Sequence, residues 1–292
     1  MSERVDLAVI GGGPAGSAAA IRGARAGASV AVFESGERGR DKICGDGLTP
    51  RAVAALKELD IPIDASHRIS GLRMIAGRQI RELPWPETDR FPGYGAVWPR
   101  QSLDAELIGA AESAGATVSF KSTARPIIED DVVRGVRVEC AGGTREVYAE
   151  KVIVATGAPG AVARDLGAVR VADEPFGLAI RSYVESPRHA DDMLEACLTL
   201  RDEHGTPVPG YGWMFPCGDG SVNIGVGALS TMKGFKSLNL NKLLASYRAT
   251  VEGSWSLGAD IGKARAWRLP MSVVKRSGPG WMAVGDAAGL VN

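Results

Sequence analysis

Short apolar runs bounded by glycines open the chain and indicate an alternation of strand and helix. Val5–Ile10 is an apolar run that ends in glycines, which predicts a buried strand. Small helix formers fill Ala15–Ala28 and predict a helix, and the β-branched run Ser29–Phe33 predicts a second strand. Strand, helix and strand in this order make a βαβ unit, so a parallel sheet is expected at the start of the chain.

Helical and strand-like segments continue to alternate over the remaining sequence. Leu48–Leu59 is expected to be helical, because Thr49 can cap a helix whose first residue is Pro50. Further helices are predicted over Ser102–Ala114 and Leu240–Val251. The segments expected to be strands or strand-rich are Ile69–Trp98, Thr117–Phe120, Val132–Val138, Glu146–Tyr148, Lys151–Ala155, Phe176–Val226 and Trp281–Val284. Segments typical of a parallel α/β layer alternate along the sequence with segments typical of a mostly β layer. This alternation predicts two interleaved domains.

Composition excludes several classes of protein. Lys plus Arg and Asp plus Glu both number 34, so no basic field points to nucleic acid as a partner. The cysteines stand far apart in the sequence, which fits neither a disulfide framework nor a zinc site and suits a reducing cytosol. Because the chain runs almost at once into the first strand, no signal peptide is expected, and no apolar run approaches the roughly 20 residues of a spanning helix. We therefore expect a cytoplasmic protein without a metal site; any membrane contact would be peripheral, at the inner face of the cell membrane.

The loop after the first strand carries the strongest chemical signal. Gly11, Gly13 and Gly16 satisfy the pattern GxGxxG between a strand and a helix, with Pro14 and Ala15 between the last two glycines. The first glycine permits a tight turn, the second lets a pyrophosphate reach the backbone, and the third lets helix and strand pack closely. The phosphates of a dinucleotide would then lie at the positive N-terminus of the helix.

Two acidic residues bear on which dinucleotide is bound. Glu34 ends the second strand, where a carboxylate can accept hydrogen bonds from ribose hydroxyls in either NAD or FAD. Gly285 and Asp286 follow a late apolar strand and open an expected helix. Gly-Asp alone is equally a turn signal. Its position after a late strand, however, would let Asp286 bind the ribityl hydroxyls of a flavin, and this favours FAD over NAD. Because the chain holds a single GxGxxG, NAD(P)H or another electron donor would visit only transiently.

Distinctive segments in a fixed order carry a family resemblance over nearly the whole chain. They are Gly11–Gly16, Asp41–Pro50, Arg100–Asp104, Gly210–Pro216, Asn223–Ser230 and Gly285–Ala288. The sequence resembles the geranylgeranyl reductase family of p-hydroxybenzoate-hydroxylase-like flavoproteins, and within it the actinobacterial menaquinone reductase branch. Pattern and resemblance together predict an α/β fold, with a Rossmann-like FAD-binding domain interleaved with a β-rich substrate domain. The FAD-binding domain is expected at 1–65, 99–165 and 277–292, and the substrate-binding domain at 66–98 and 166–276.

The resemblance also implies roles for individual residues. Cys44 is the candidate catalytic proton donor beside the flavin ring, with an ordered water as the other candidate acid; otherwise Cys44 is a small buried hydrophobe. Arg100 would bind the phosphate or ribose of FAD, unless it forms only a surface ion pair with Asp104. The residues expected to bind FAD are Gly11, Gly13, Pro14, Ala15, Gly16, Glu34, Cys44, Gly45, Asp46, Gly47, Arg100, Thr156, Gly157, Gly285 and Asp286.

Two departures from the family pattern stand out. Thr156 and Gly157 occupy a position where many relatives have Asp-Gly, and a threonine hydroxyl can still hydrogen-bond phosphate without the charge of an aspartate. The sequence stops at Asn292, whereas family members continue with a segment beside the flavin. The chain is therefore expected to be a truncated product or a fragment of a longer gene, and its flavin-ring site would be less complete than its ADP site.

Aromatic residues mark the expected substrate site. Tyr211, Trp213 and Phe215 recur at a spacing of two, so they point to one face of a strand. In the family they would line an apolar channel for an isoprenoid chain, and the alternative is a sheet core.

Three functions are consistent with these features. The leading one is an FAD-dependent reductase that saturates an isoprenoid C=C bond in a prenyl lipid or prenyl quinone, such as the tail of menaquinone or a geranylgeranyl lipid. The second is an aromatic monooxygenase or halogenase, which shares the fold but uses oxygen. The third is an inactive fragment that only binds prenyl lipid.

Overall fold

The computed structural model describes residues 3–158, 161–169 and 174–291. Asn292, where the sequence analysis placed a truncation, lies outside these ranges. Among the described residues, no helix is both long and apolar enough to cross a bilayer.

Strands dominate the described chain. The strands are β1 Glu3–Ile10, β2 Val30–Phe33, β3 Gly47–Leu48, β4 His67–Ile69, β5 Gly71–Ala76, β6 Gln79–Pro84, β7 Gly95–Val97, β8 Thr117–Ser119, β9 Thr123–Glu129, β10 Val132–Cys140, β11 Gly143–Val154, β12 Phe176–Glu185, β13 Met193–Cys197, β14 Gly210–Pro216, β15 Ser221–Leu229, β16 Asp260–Pro270, β17 Ser277–Gly278 and β18 Trp281–Ala283. The α-helices are α1 Pro14–Arg25, α2 Pro50–Lys57, α3 Arg100–Ser113, α4 Ala161–Asp165 and α5 Leu240–Trp255, and short 3-10 turns cover Phe235–Ser237 and Gly285–Ala288.

The contacts divide the chain into two compact units. Of the described residues, unit 1 takes those within 1–41, 101–175 and 269–292. Unit 2 takes 42–100 and 176–268. Each unit is therefore built from separated stretches of sequence, and the segment 42–65, which carries the Cys44 motif, lies in unit 2.

Unit 1 is built on an eight-stranded sheet. Its main path runs β17-β18-β11-β1-β2-β8, and β10 and β9 extend it from β11. Strand β1 pairs in parallel with both β2 and β11, so it is central and its end is fully buried. Buried residues such as Phe33, Val154 and Trp281 join strands from all parts of the sheet into one core. The carboxyl ends of β1, β2 and β11 consequently meet at one edge, the position of ligand sites in open α/β sheets.

Unit 2 contains a seven-stranded sheet and a separate three-stranded one. The larger sheet has the order β16-β12-β15-β14-β13-β5-β6, and the smaller has the order β3-β7-β4. Helix α5 covers one face of the larger sheet, where Leu243, Tyr247 and Trp255 are buried against residues such as Met214. Only one face of β14 is therefore occupied by α5.

Most predicted elements are found with small shifts of their ends. The βαβ unit is confirmed as β1, α1 and β2, and Thr49 caps α2 by accepting a hydrogen bond from the Ala52 N–H at 3.4 Å. The two strands expected at Glu146–Tyr148 and Lys151–Ala155 are a single strand, because β11 runs unbroken from Gly143 to Val154. The helix expected after Gly285 is wrong: the described residues form a 3-10 turn that ends at a left-handed Gly289.

Candidate functional site

The glycine loop of unit 1 leaves no room for side chains. Gly11 has φ +105°, and a Cβ there would lie 2.4 Å from the carbonyl oxygen of Ala155. A Cβ on Gly16 would lie 1.9 Å from the carbonyl oxygen of Gly11. Helix α1 begins at Pro14, with Gly13 as an N-cap that contributes no side chain. The tight packing of β1, α1 and β11 thus presents the N-terminus of α1 to an anion.

Glu34 fastens this loop from the end of β2. Its carboxylate accepts hydrogen bonds from the N–H groups of Gly12 at 2.8 Å and Gly36 at 2.7 Å, and from Arg40 Nε at 2.9 Å. Burial raises the pKa of Glu34, but the Arg40 guanidinium and these N–H groups lower it more, so the net shift is downward. Glu34 is therefore already bonded within the protein, and its contact with ribose stays a prediction.

Replacing Glu34 by glutamine is expected to lower the free energy of unfolding by about 2 kcal/mol near neutral pH, because a buried charge-assisted network is lost. A carboxyl whose pKa is lowered on folding stabilises the native state above its unfolded value, 4.5, and the effect is lost as the pH falls through the folded pKa. Urea unfolding at several pH values should thus show the difference from wild type shrinking in acid. Glu37→Gln, at an exposed pair with Lys121, is the matched control and should change little. A Glu34→Gln deficit that is constant with pH would contradict this account.

Thr156, Gly157, Gly285 and Asp286 lie in the turns that follow β11 and β18. The Thr156 hydroxyl is buried and has no hydrogen-bond partner among the residues that the structure describes. Gly157 has φ +71°, and a Cβ on Gly285 would lie 2.9 Å from Ala15 Cβ. Asp286 is half-buried. An unpartnered buried hydroxyl next to a glycine loop that leaves no room for a Cβ at Gly11 and Gly16 fits the phosphates of a bound dinucleotide.

The candidate substrate site of unit 2 is centred on Asp46. This residue is 1% exposed and has a left-handed backbone, with φ 64°. Its carboxyl accepts hydrogen bonds from Tyr183 Oη at 2.5 Å, Asn223 Nδ2 at 2.8 Å and the Arg100 N–H at 3.2 Å. Burial raises the pKa of Asp46, and the hydrogen bonds from Tyr183 and Asn223 oppose that rise. Asp46 thereby connects the Cys44 segment to β12, β15 and the start of α3.

Cys44 lies two residues before Asp46 and is half-buried. Burial raises the pKa of the Cys44 thiol, and the nearby Asp46 raises it further, while the Arg100 guanidinium lowers it by less. The thiol is therefore held in its protonated form at neutral pH. Such a group can donate a proton but is a poor nucleophile. Arg100 acts on this thiol, and its expected contact with FAD stays a prediction.

Three aromatic rings line the face of β14 opposite α5. The ring centroids of Tyr211 and Trp213 lie 5.6 Å apart, and those of Trp213 and Phe215 lie 6.2 Å apart. Tyr211 is 45% exposed, Trp213 is 5% exposed and Phe215 is half-buried, so the row runs from the surface to a buried indole. We call Tyr211, Trp213 and Phe215 the aromatic row. They share one face, as their spacing predicted.

Glycines let the aromatic row pack against its neighbours. A Cβ on Gly225 would lie 2.1 Å from the Trp213 ring, so the indole lies directly over the backbone of β15. Cβ atoms on Gly45 and Gly47 would lie 3.2 and 3.1 Å from the Phe215 ring. The glycines of the Cys44 segment, expected to admit the flavin ring, thus also admit Phe215. Their contact with flavin stays a prediction.

Sequence analysis missed Tyr183 and Asn223. Both lie on the same face of the sheet as the aromatic row. The register pairs Tyr183 of β12 with Asn223 of β15, and Asn223 with Phe215 of β14. Asn223 lay within a family segment, but no role was inferred for it. The available signal was a polar residue two positions before Gly225 in an otherwise apolar strand.

Comparison with known proteins places this geometry among flavoproteins. Residues 4–208 match the family model described as FAD binding domain. The chain is similar to the menaquinone reductase of Mycolicibacterium smegmatis, at 40% identity over 100% of this chain and 72% of that protein. It is also similar to the digeranylgeranylglycerophospholipid reductase of Thermoplasma volcanium, at 31% identity over 99% of this chain and 73% of that protein.

Solved structures confirm the predicted fold class. A geranylgeranyl bacteriochlorophyll reductase-like protein from Thermoplasma acidophilum superimposes with a TM-score of 0.83 at 27% identity, covering 99% of this chain and 72% of that one. A flavin-dependent brominase has a TM-score of 0.78 at 18% identity over 98% and 72% of the two chains, which shows a shared fold alone. The family resemblance expected from the sequence is confirmed, as is FAD as the cofactor.

Proposed function

Because this chain belongs to the family of FAD-dependent oxidoreductases that includes the menaquinone and digeranylgeranylglycerophospholipid reductases, we propose that it saturates an isoprenoid C=C bond. The substrate would be the polyprenyl tail of menaquinone or a geranylgeranyl lipid. One observation carries the proposal: a protonated thiol, Cys44, lies in the same unit as an aromatic row that leads inward from the surface. The names of the relatives support the same substrate class.

Reduced FAD would supply the hydride, and the residues of unit 1 fit the dinucleotide part of this cofactor. Gly11, Gly13 and Gly16 would admit the pyrophosphate to the backbone, and the N-terminus of α1 would balance its charge. The buried hydroxyl of Thr156 would donate to a phosphate oxygen. The remaining assignments, to Glu34, Arg100 and Asp286 among others, are proposed on the family pattern.

The protein's own part in the reaction is binding and proton transfer. The aromatic row would bind the prenyl chain and exclude water, because an isolated alkene offers no polar group for recognition. The Cys44 thiol would donate its proton to one alkene carbon while the other receives the hydride, so the π bond is replaced by two C–H bonds. The thiolate would then recover a proton from solvent. Burial and Asp46 keep the thiol protonated, so its proton is in place at neutral pH.

Changing Cys44 to alanine tests the proposal. Turnover is expected to fall by roughly 100-fold to 10,000-fold, the usual contribution of a general acid. The measurement is the gain of two hydrogens by menaquinone or a geranylgeranyl lipid, followed by mass spectrometry with chemically reduced enzyme. Cys140→Ala is the matched control, because Cys140 is exposed, and its turnover should equal that of wild type.

Two outcomes would contradict the proposal in different ways. Unchanged turnover in Cys44→Ala would remove this thiol from the reaction and favour a water as the acid. Oxygen uptake with an aromatic substrate, and none of the expected hydrogen gain, would favour a monooxygenase or halogenase activity instead.

The electron donor and the location of the enzyme are also proposals. NAD(P)H or another reductant would bind only transiently to reduce the flavin, since the sequence holds a single GxGxxG for a resident dinucleotide. The enzyme would act in the cytoplasm with peripheral contact to the inner face of the cell membrane, where prenyl lipids are found. Flavin bleaching by NADPH and sedimentation with lipid vesicles would test these two points.

A further inference from the structure

Asn223 joins the Cys44 segment to the aromatic row through a single amide group. Its side chain is completely buried. The Nδ2 group donates to the carbonyl oxygen of Cys44 at 2.9 Å and to Asp46 Oδ2 at 2.8 Å. The Oδ1 atom accepts a hydrogen bond from Trp213 Nε1 at 3.0 Å. Both hydrogens of the amide are thus used on one side, and its oxygen is used on the other.

These partners fix the orientation of the amide. Rotating it by half a turn would place Oδ1 against a carbonyl oxygen and a carboxyl oxygen, and would point an N–H group at the Trp213 N–H. Both contacts would be repulsive in a buried site, where unpaired polar groups are costly. The position of the Trp213 indole and that of the Cys44 backbone are therefore set by the same side chain.

Packing alone would not fix this relation. Trp213 lies directly over the backbone of Gly225, a contact with no polar partner for the indole N–H, so this contact does not set the direction of that group. Cys44 lies in a segment that is not part of a helix or strand, ahead of the left-handed Asp46. The hydrogen bonds of the Asn223 amide give the Trp213 indole and the Cys44 backbone a defined position.

We propose that Asn223 is a positioning residue that holds the Cys44 thiol and the Trp213 indole in one fixed arrangement at the alkene site. The inference rests on the proposed function. Asn223 itself touches neither the solvent nor the reacting bond; it acts through Cys44 and Trp213. Loss of the amide should therefore reduce the rate of the chemical step more than the binding of a prenyl chain, which depends on apolar contact.

Two variants distinguish the hydrogen bonds that the amide donates from the one that it accepts. Asn223→Leu removes both kinds. Asn223→Asp keeps the shape and the oxygen that accepts from Trp213, but removes the donations to the Cys44 carbonyl and to Asp46 Oδ2 and places an oxygen against both. Trp255→Phe is the matched control, because the Trp255 indole also donates from a buried position in unit 2, to Glu195 Oε1 at 2.8 Å. Trp255→Phe therefore shows how much the loss of one buried indole hydrogen bond, at a place away from Cys44, changes each measurement.

The first readout needs neither flavin nor substrate. Iodoacetamide labelling of the intact protein, quantified by mass spectrometry of the peptides, gives the rate at Cys44 relative to exposed Cys140. We expect this ratio to rise about tenfold in both Asn223 variants, because the released segment opens more often, and to stay within about twofold in Trp255→Phe. The indole N–H resonance of Trp213, identified with Trp213→Phe, should move farther in Asn223→Leu, which has no acceptor for it, than in Asn223→Asp, which keeps one.

The second readout is turnover of a prenyl substrate by the flavin-loaded enzyme. We expect kcat to fall about tenfold or more in Asn223→Asp, with KM changed less than about threefold. The positioning role is overturned if the Cys44 to Cys140 ratio in Asn223→Asp matches that of Trp255→Phe, and Asn223→Asp serves even where Asn223→Leu does not fold. If wild type reduces no prenyl substrate, the proposed function fails, while labelling and resonance still decide whether Asn223 fixes the geometry.

Discussion

Replacing Gly16 by alanine is expected to weaken FAD binding by roughly 100-fold, which corresponds to losing one or two charge-assisted hydrogen bonds to phosphate. The added Cβ would lie 1.9 Å from the carbonyl oxygen of Gly11, and that oxygen belongs to the backbone and cannot turn away. The loop must therefore move as a whole, and its N–H groups leave the positions that would meet the pyrophosphate. Titration of the purified protein with FAD, followed by quenching of flavin fluorescence, measures the effect.

Gly109→Ala supplies the control for this substitution. Gly109 lies inside α3, and a Cβ there meets nothing within 4 Å. Alanine at this position should leave FAD affinity unchanged and raise the free energy of unfolding by roughly 0.5–1 kcal/mol, because alanine is the better helix former. A Gly16→Ala protein that purifies with a full complement of FAD would contradict the role given to the loop.

Replacing Asp46 by alanine is the second change for which a large effect is expected. It would leave Tyr183, Asn223 and the Arg100 N–H without their acceptor, and would place a residue without a polar side chain at φ 64°. We expect the free energy of unfolding to fall by roughly 3 kcal/mol, and turnover to fall about 100-fold as the Cys44 segment loses its anchor. Urea unfolding and the prenyl reduction assay measure the two effects.

Two further variants identify the cause of the Asp46 effect. Asp131 also has a left-handed backbone, with φ 60°, but is exposed in the turn between β9 and β10. Asp131→Ala therefore reports the backbone contribution alone, about 1 kcal/mol. Asp46→Asn keeps an acceptor oxygen and a residue that tolerates this backbone, so it should lie between wild type and Asp46→Ala. Equal losses in Asp46→Ala and Asp131→Ala would show that the buried hydrogen bonds contribute nothing.

Features encoded by neighbouring residues could be predicted from the sequence. The βαβ unit, the capped start of α2 and the shared face of the aromatic row all follow from local spacing and capping chemistry. The separate strands predicted within β11 failed for the same reason: the prediction broke at Ala149 and Glu150, whereas β11 runs through both and Ala149 pairs with Val5 of β1. Periodicity alone does not reveal which strands lie beside one another.

The polar centre of unit 2 could not be predicted in this way. Asn223 meets Cys44 and Asp46 only because β15 lies between β12 and β14, a neighbourhood set by the order of strands in the sheet. Nothing in the residues around Asn223 indicates a partner nearly two hundred positions earlier. Contacts of this kind follow from topology, so a sequence can suggest the motif while leaving its partners unknown.

Strand β18 imposes an order on how the molecule assembles. Trp281–Ala283 pairs in parallel with Val152–Val154, yet the whole second stretch of unit 2 separates the two in sequence. During synthesis on the ribosome, residues 176–268 therefore emerge before this edge of β11 receives its partner. Unit 2 can complete its antiparallel pairings while unit 1 still waits for its last strand. Closing so long a loop is slow compared with forming hairpins. The late step in folding should accordingly belong to the dinucleotide-binding sheet, whose N-terminal βαβ unit is the first part to be made.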